Sequence, residues 1–199
     1  MKVKLAIIGC GAVTAKGHLP AAMQAVGCEV VLLVDRDLPR TESLAAQYGI
    51  AEVSQDYHDA ISRADAGIVA LPHHLHAPVC GDLLKGGLHV LVEKPMALSV
   101  QECQSLVAAA EQNNKVLCVG LMRRFLNSAR FVRDVLENNR LGEVHSFDVR
   151  EGGVYNWPVQ SDFFFRRETA GGGVLFDTGA HTLDLVLWWL GQVGAVEYY

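Results

Sequence analysis

The sequence predicts an α/β protein: a doubly wound parallel sheet over residues 1–121, then a smaller, incomplete α+β domain over residues 122–199. Three observations predict it. Short apolar runs without polar alternation recur through the first 121 residues, as expected of strands buried on both faces. Stretches with helical spacing separate them and the loops between are short, which calls for parallel strands with crossover helices. After residue 121 the rhythm changes to one alternating strand, an aromatic-rich loop and one long helix.

The elements follow in order. Residues 3–8 form an apolar first strand ending in Gly9-Cys10-Gly11, and a helix is predicted over 16–25. Residues 29–34 form a second strand closed by Asp35, and 39–48 a helix with Leu44, Ala45 and Tyr48 inward. A short strand (51–53), a helix (57–62) and an apolar strand (66–71) stopped by Pro72 come next. Helix 77–85, strand 88–92, helix 100–113 and strand 116–121 complete the series. Beyond it, 129–139 reads as a helix, 144–149 as a strand with one wet face, and 155–165 as the aromatic loop. A helix carrying Asp177 and His181 runs to residue 190, and 193–199 resembles the start of another strand.

Composition narrows the function classes. Half the residues are apolar, a fifth are charged and the net charge is −5, so no electrostatic case exists for nucleic acid or an anionic membrane. Arg123, Arg124, Arg130 and Arg133 form the nearest approach to a basic cluster, the last two reading as a solvated helix face. The five cysteines are scattered among apolar residues, as expected of buried thiols in a reducing, cytoplasmic compartment. The apolar run after Met1-Lys2-Val3-Lys4 is too short for a signal segment and runs straight into a glycine turn. The longest late run, 185–190, is too short to span a bilayer.

Five motifs carry chemistry. Gly9-x-Gly11 after the first strand would bring the backbone of Gly9, Gly11, Ala12 and Val13 to a pyrophosphate at a helix N-terminus, with Thr14 in the place of the usual third glycine. Asp35, at the end of strand two, suits the adenosine ribose hydroxyls and repels a 2′-phosphate, which favours NAD. Arg36 and Arg40 beside it keep NADP open. The loop Leu71-Pro72-His73-His74-Leu75-His76 ends a strand, so Leu71, Pro72, His73 and His76 are expected to line the cofactor crevice. Three histidines this close do not converge on one ion, and no metal is expected. His18 reads as a packing or capping residue. Lys94, in Glu93-Lys94-Pro95, stands at a strand edge where an ammonium could stabilise a developing alkoxide, or else form a surface pair with Glu93. Finally, Gly171-Gly172-Gly173 leads into a helix on which Asp177, His181 and Asp184 would share one face. A carboxylate one turn from an imidazole is an arrangement for a general base.

Together Gly9-Cys10-Gly11, His18, Asp35, Glu93-Lys94-Pro95 and the Gly172-to-Asp184 stretch resemble the Gfo/Idh/MocA oxidoreductases, relatives of glucose–fructose oxidoreductase and inositol 2-dehydrogenase. The resemblance runs the length of the chain. It implies a Rossmann dinucleotide-binding domain in which Gly9, Gly11, Asp35 and Glu93 touch the cofactor, with Lys94, Asp177 and His181 as the catalytic group. The expected reaction is NAD(P)-dependent hydride transfer to or from a secondary alcohol of a sugar, cyclitol or related polyol. Arg123, Arg124, Tyr155, Trp157 and Asp184 are candidate substrate contacts, with Asn156 in the same aromatic loop. Members usually continue into further strands that often form the subunit interface. That sheet has barely begun here, which leaves homo-oligomerisation open. Two other readings stand beside this one: a non-catalytic dinucleotide-binding subunit, and a glycosidase that uses nicotinamide in a transient oxidation.

Overall fold

The computed structural model describes residues 1–154, 158, 162–191 and 194–195. They fall into two compact units, Met1–Gly120 with Pro158–Gly171, and Leu121–Trp157 with Gly172–Tyr199. The sequence places 158–171 in the later domain. Chain packing groups it with the first unit, where the Ala170 carbonyl meets His73 Nδ1 at 2.9 Å and Phe163 and Phe164 stand edge-on to the same ring.

The first unit is built on six parallel strands: β1 (Val3–Ile8), β2 (Cys28–Val34), β3 (Glu52–Ser54), β4 (Ala66–Val69), β5 (His89–Val92) and β6 (Leu117–Val119). Their order is β3-β2-β1-β4-β5-β6, so the direction of winding reverses between β1 and β4. Side chains alternate across the sheet because the strand period is two. Ala6, Ile8, Leu32, Val34, Val69, Val90 and Val92 point to one face. There they pack with Ala60, Val79, Leu83, Leu84, Leu106 and Ala110 of α3 (Asp59–Arg63), α4 (His76–Lys85) and α5 (Val100–Gln112). Ile7, Val30, Leu33 and Ile68 point to the other, against Leu19, Ala22 and Ala45 of α1 (Leu19–Gln24) and α2 (Leu38–Tyr48). Two buried faces explain the apolar runs without alternation.

The expected strands and helices of this unit are all present, with ends moved by a few residues. The largest change is at the predicted 16–25 helix, which begins as a π-helical turn over Thr14–His18 before α1. Local chemistry accounts for the clean ends. Asp37 caps α2 by accepting from the Arg40 amide at 3.1 Å, and Gly49 closes it with φ +69°. Ser99 caps α5 through the Glu102 amide at 3.2 Å. On α2 the buried positions are Thr41 and Ala45, with Leu44 and Tyr48 packed at the margin.

The second unit contains α6 (Asn127–Glu137), α8 (Val174–Asp177) and α9 (Gly179–Leu190); the short α7 (Arg167–Ala170) belongs to the first unit. Trp189 Nε1 donates to the Ala129 carbonyl at 3.0 Å, joining α9 to α6. Two sequence expectations change here. Residues 144–149 form no strand, because a strand exists only through ladder bonds to a neighbour and none is present among the described residues. The predicted single helix carrying Asp177 and His181 is two, broken at Thr178: the Thr178 amide still bonds Val174 O at 2.8 Å, but His181 N reaches back only to Thr178 O at 3.1 Å. Asp177 therefore ends α8 while His181 and Asp184 lie on α9. Residues 155–157 and 159–161 of the aromatic loop, and 193 and 196–199 of the expected last strand, lie outside the described residues.

Candidate active site

The glycine turn lies where the winding reverses, at the carboxyl ends of β1 and β4. Gly9 has φ +100°, and a Cβ there would stand 2.2 Å from the Ala70 carbonyl oxygen, so only glycine lets the two chains approach this closely. Thr14, in the place of the third glycine, is fully buried and donates its hydroxyl to Gly9 O at 2.6 Å. It locks the turn by a hydrogen bond rather than by the absence of a side chain. Gly11, Ala12 and Val13 lead directly into the π-helical turn, with Ala12 buried.

Asp35 is committed on both oxygens. Oδ2 accepts from the Cys10 amide at 2.7 Å, and Oδ1 accepts from the Asp37 amide at 2.9 Å and from Arg40 Nη2 at 3.3 Å. It ties the glycine turn to the end of β2 and keeps lone pairs for further donors, since a carboxylate offers about four acceptor positions. Arg36 is exposed, whereas Arg40 is drawn in between Asp35 and Asp37. The neighbouring Cys10 thiol is pushed up to about 11 by burial, so it is an inert packing group.

In the histidine loop the structure gives two of the rings partners of their own. His76 is completely buried, with Nδ1 at 2.7 Å from Pro95 O and Nε2 at 2.8 Å from Leu71 O. Burial holds its pKa down, although the two carbonyls pull the other way. His73 is 3% exposed and bonds Ala170 O. Both rings pin loops at the strand ends, and Leu71 and Pro72 remain half-buried at that edge. Among the described residues, no group of three or more His, Cys, Asp and Glu side chains is placed to share a metal ion.

His18 is likewise more than a packing residue. Its Nε2 lies 2.8 Å from Glu93 Oε1, joining the glycine-turn helix to the end of β5. Burial pushes the Glu93 carboxyl up, but His18 and the Lys94 amide, which donates to Oε2 at 3.2 Å, hold it below its usual range. Gly120 makes room for it, since a Cβ there would come 3.1 Å from Glu93 Oε1. Glu93 is paired with His18, and Lys94 follows half-buried at the strand edge, joined to Pro95 by a cis peptide.

Asp177, His181 and Asp184 belong to the second unit and are half-buried. Asp184 is closed by a bidentate pair with Arg124, at 2.8 Å from Nε and 2.5 Å from Nη2, and Arg124 also lies over the Trp188 ring. Arg123 grips Glu151 in the same way, at 2.7 and 2.5 Å, and the Thr182 hydroxyl donates to Glu151 as well. Hydrogen bonds from Arg123 take the Glu151 carboxyl down to about 2 against the penalty of burial, with Thr182, the charge of Arg123 and that of His181 helping. A groove of about 380 Å³ runs beside this cluster, lined by Arg123, Val149, Glu151, Thr182, Leu185 and Trp189. Tyr155 and Trp157, the other candidate substrate contacts, lie outside the described residues. Sequence reading missed His18–Glu93 and Glu151, because no local pattern announces a partner 75 or 28 residues away.

The comparisons with known proteins decide the family. The description "Oxidoreductase family, NAD-binding Rossmann fold" matches residues 3–121, and "GFO/IDH/MocA C-terminal domain" matches residues 129–199. The chain belongs to the Gfo/Idh/MocA oxidoreductase family. Among Gfo/Idh/MocA relatives, it is 30% identical over 194 residues to the D-glucoside 3-dehydrogenase of Escherichia coli (strain K12), a match covering 95% of this chain and 54% of that protein. The structure of GenD2 from gentamicin A biosynthesis, solved with NAD, superposes with a TM-score of 0.84 at 26% identity, over 96% of this chain and 54% of that one. KijD10, a 3-ketoreductase from Actinomadura kijaniata solved with NADP and TDP-benzene, gives 0.82 at 26% identity over 96% and 58%. The chain spans about half the length of the curated relatives it matches. The Rossmann reading, the NAD-binding assignment and the family resemblance drawn from the motifs are borne out. Among the described residues, no helix is long and apolar enough to cross a membrane.

Proposed function

We propose that this chain carries the cofactor-binding half and the general base of an NAD(P)-dependent oxidoreductase acting on a secondary alcohol of a sugar, cyclitol or related polyol. The observation that carries the reading is the Gly9 turn, pressed against Ala70 at the reversal point of the sheet and tied to Asp35 through the Cys10 amide. The names of the relatives, among them a D-glucoside 3-dehydrogenase, a dTDP-dideoxyglucose 3-reductase and an inositol 2-dehydrogenase, support the substrate class and speak for catalysis over a purely cofactor-sensing or glycosidic role. The five free cysteines support a reducing, cytoplasmic setting.

Bound NAD(P) would supply the hydride acceptor at the nicotinamide. Gly9, Gly11, Ala12 and Val13 would receive the pyrophosphate, Asp35 the adenosine ribose, and Glu93 the edge of the site beside Lys94. His181 would take the hydroxyl proton as the C–H bond breaks, with Asp177 supporting its protonated form. Lys94 would lower the cost of charge on the substrate oxygen. Arg123, Arg124 and Asp184 would act on substrate through paired, charge-balanced groups. Titration of the chain with NADH, followed by assays of NADH formation on a panel of glycosides and cyclitols, tests the reading. His181→Ala should cut turnover by about 10²-fold or more while NADH affinity holds. A collapse of NADH affinity in that variant would make His181 structural instead.

A further inference from the structure

His18 and Glu93 meet across the carboxyl edge of the sheet in a contact that no sequence motif requires. His18 Nε2 lies 2.8 Å from Glu93 Oε1, and the two side chains are only 17% and 18% exposed. The carboxyl is held below its usual range, so Glu93 accepts and the ring donates. His18 closes the π-helical turn that follows the glycine turn, and Glu93 is the residue after β5. We propose that His18 is a positioning residue for the cofactor: its hydrogen bond aims the Glu93 carboxylate at the hydroxyls of the nicotinamide-side ribose. The inference rests on reading the crevice as a dinucleotide site, and it gives that site a residue that acts through Glu93.

The order of the strands decides which half of the dinucleotide Glu93 faces. Neighbours in the sheet run β2-β1-β4-β5, with Asp35 after β2, the glycine turn after β1 and Glu93 after β5. A pyrophosphate at the glycine turn with its adenosine ribose at Asp35 sends the second ribose the other way, across β4 toward β5. A carboxylate there offers about four acceptor positions, more than the donors from His18 and the Lys94 amide occupy. Both donors restrict its rotamer, one on each oxygen, so the direction of the remaining lone pairs is set before any ligand arrives. The π-helical turn bears on the aim as well. It closes through the Leu19 amide on Thr14 O, one residue wider than an α-helical turn, which changes the face on which the following residues leave the helix. Without His18, the half-buried carboxylate loses both a restraint and a donor that offsets its burial.

Calorimetric titrations of the full chain with NADH and with ADP, which ends at the pyrophosphate, separate the two halves of the site. His18→Leu should weaken NADH about tenfold and leave ADP unchanged. His18→Gln, whose amide can still donate to Oε1, should recover most of that loss. Glu93→Gln should weaken NADH likewise, and adding His18→Leu to it should weaken NADH no further, because His18 then has no carboxylate to aim. Equal NADH affinity in wild type and His18→Leu overturns the proposal. So does an additive double variant, or a loss for ADP as large as that for NADH, which marks general damage to the glycine turn. If His18→Leu fails to fold, His18→Gln and His18→Asn decide between them. Only the longer amide matches the reach of Nε2, so equal NADH affinities in these two overturn the proposal. A wild-type chain that binds no NADH sinks the dinucleotide reading itself and this proposal with it, whereas a wild-type chain that binds NADH as tightly as His18→Leu sinks the proposal alone.

Discussion

At the scale of single residues, Asp35 and Glu93 each hold structure together, and in the proposed reading each serves the chemistry as well. Asp35 binds two backbone amides and still faces Arg40, so it holds the glycine turn while setting the charge that an adenosine ribose would meet. Replacing Asp35 with Ser removes the negative charge and releases Arg40. NADPH affinity should then improve relative to NADH, and an unchanged ratio in parallel fluorescence titrations would remove Asp35 from the cofactor site. Glu93 makes a pH prediction. Its carboxyl is held below its ordinary 4.5 in the folded chain, so it binds fewer protons folded than unfolded near that pH. Its stabilising contribution is complete above about 4.5 and is lost as pH falls through the folded value. Urea midpoints of wild type and Glu93→Gln should therefore differ at pH 7 and converge toward pH 3. A gap constant over that range would refute the linkage. Asp35 and the glycine turn could be read in the sequence because each sits at a fixed offset from a strand end. His18 could not be matched to Glu93, since the sheet alone brings them together.

At the scale of elements, α4 on β4 shows why the doubly wound reading was recoverable from pattern. Leu83 on α4 is fully buried, and its Cδ1 lies 3.0 Å from where a Cβ on Gly67 of β4 would stand. A small residue on the strand and a large one on the helix interlock, and the apolar spacing of each is visible in the chain. Leu83→Ala should cost about 2–5 kcal/mol in chemical denaturation, because the cavity would be walled by a rigid sheet. A loss under about 1 kcal/mol would mean that the helix relaxes into the gap. The elements that pattern misjudged each depend on something besides periodicity. The 174–190 helix breaks at Thr178 although its apolar spacing runs on, because hydrogen-bond geometry there tightens to an i→i−3 bond. Residues 144–149 alternate like a strand, but alternation gives a preference for pairing and not a partner.

At the scale of the whole molecule, the two units carry different parts of the proposed chemistry. The glycine turn, Asp35, Glu93 and Lys94 belong to the first, and Asp177 and His181 to the second. If the first unit binds the dinucleotide, NADH at about 100 times its dissociation constant should add about 2.7 kcal/mol to that unit's stability. Its thermal transition, followed by circular dichroism, should rise accordingly. No shift at saturating NADH would argue against a cofactor site in this unit.

By itself the sequence determined the alternation of elements, the parallel sheet, the glycine turn at its first strand, and the motifs that tie the chain to its family. These are properties of local period and of residues at set distances from a strand end, so nearest neighbours along the chain carry them. Only the tertiary structure decided the partners: His18 with Glu93, His76 between Leu71 and Pro95, Ala170 against His73, and Glu151 held by Arg123 and Thr182. All but His76 with Leu71 join residues far apart in sequence, and a polar group that is to be buried can take any complementary group the fold brings within about 3 Å. The type of residue announces that a partner is needed, and the packing of strands and helices chooses which one it is.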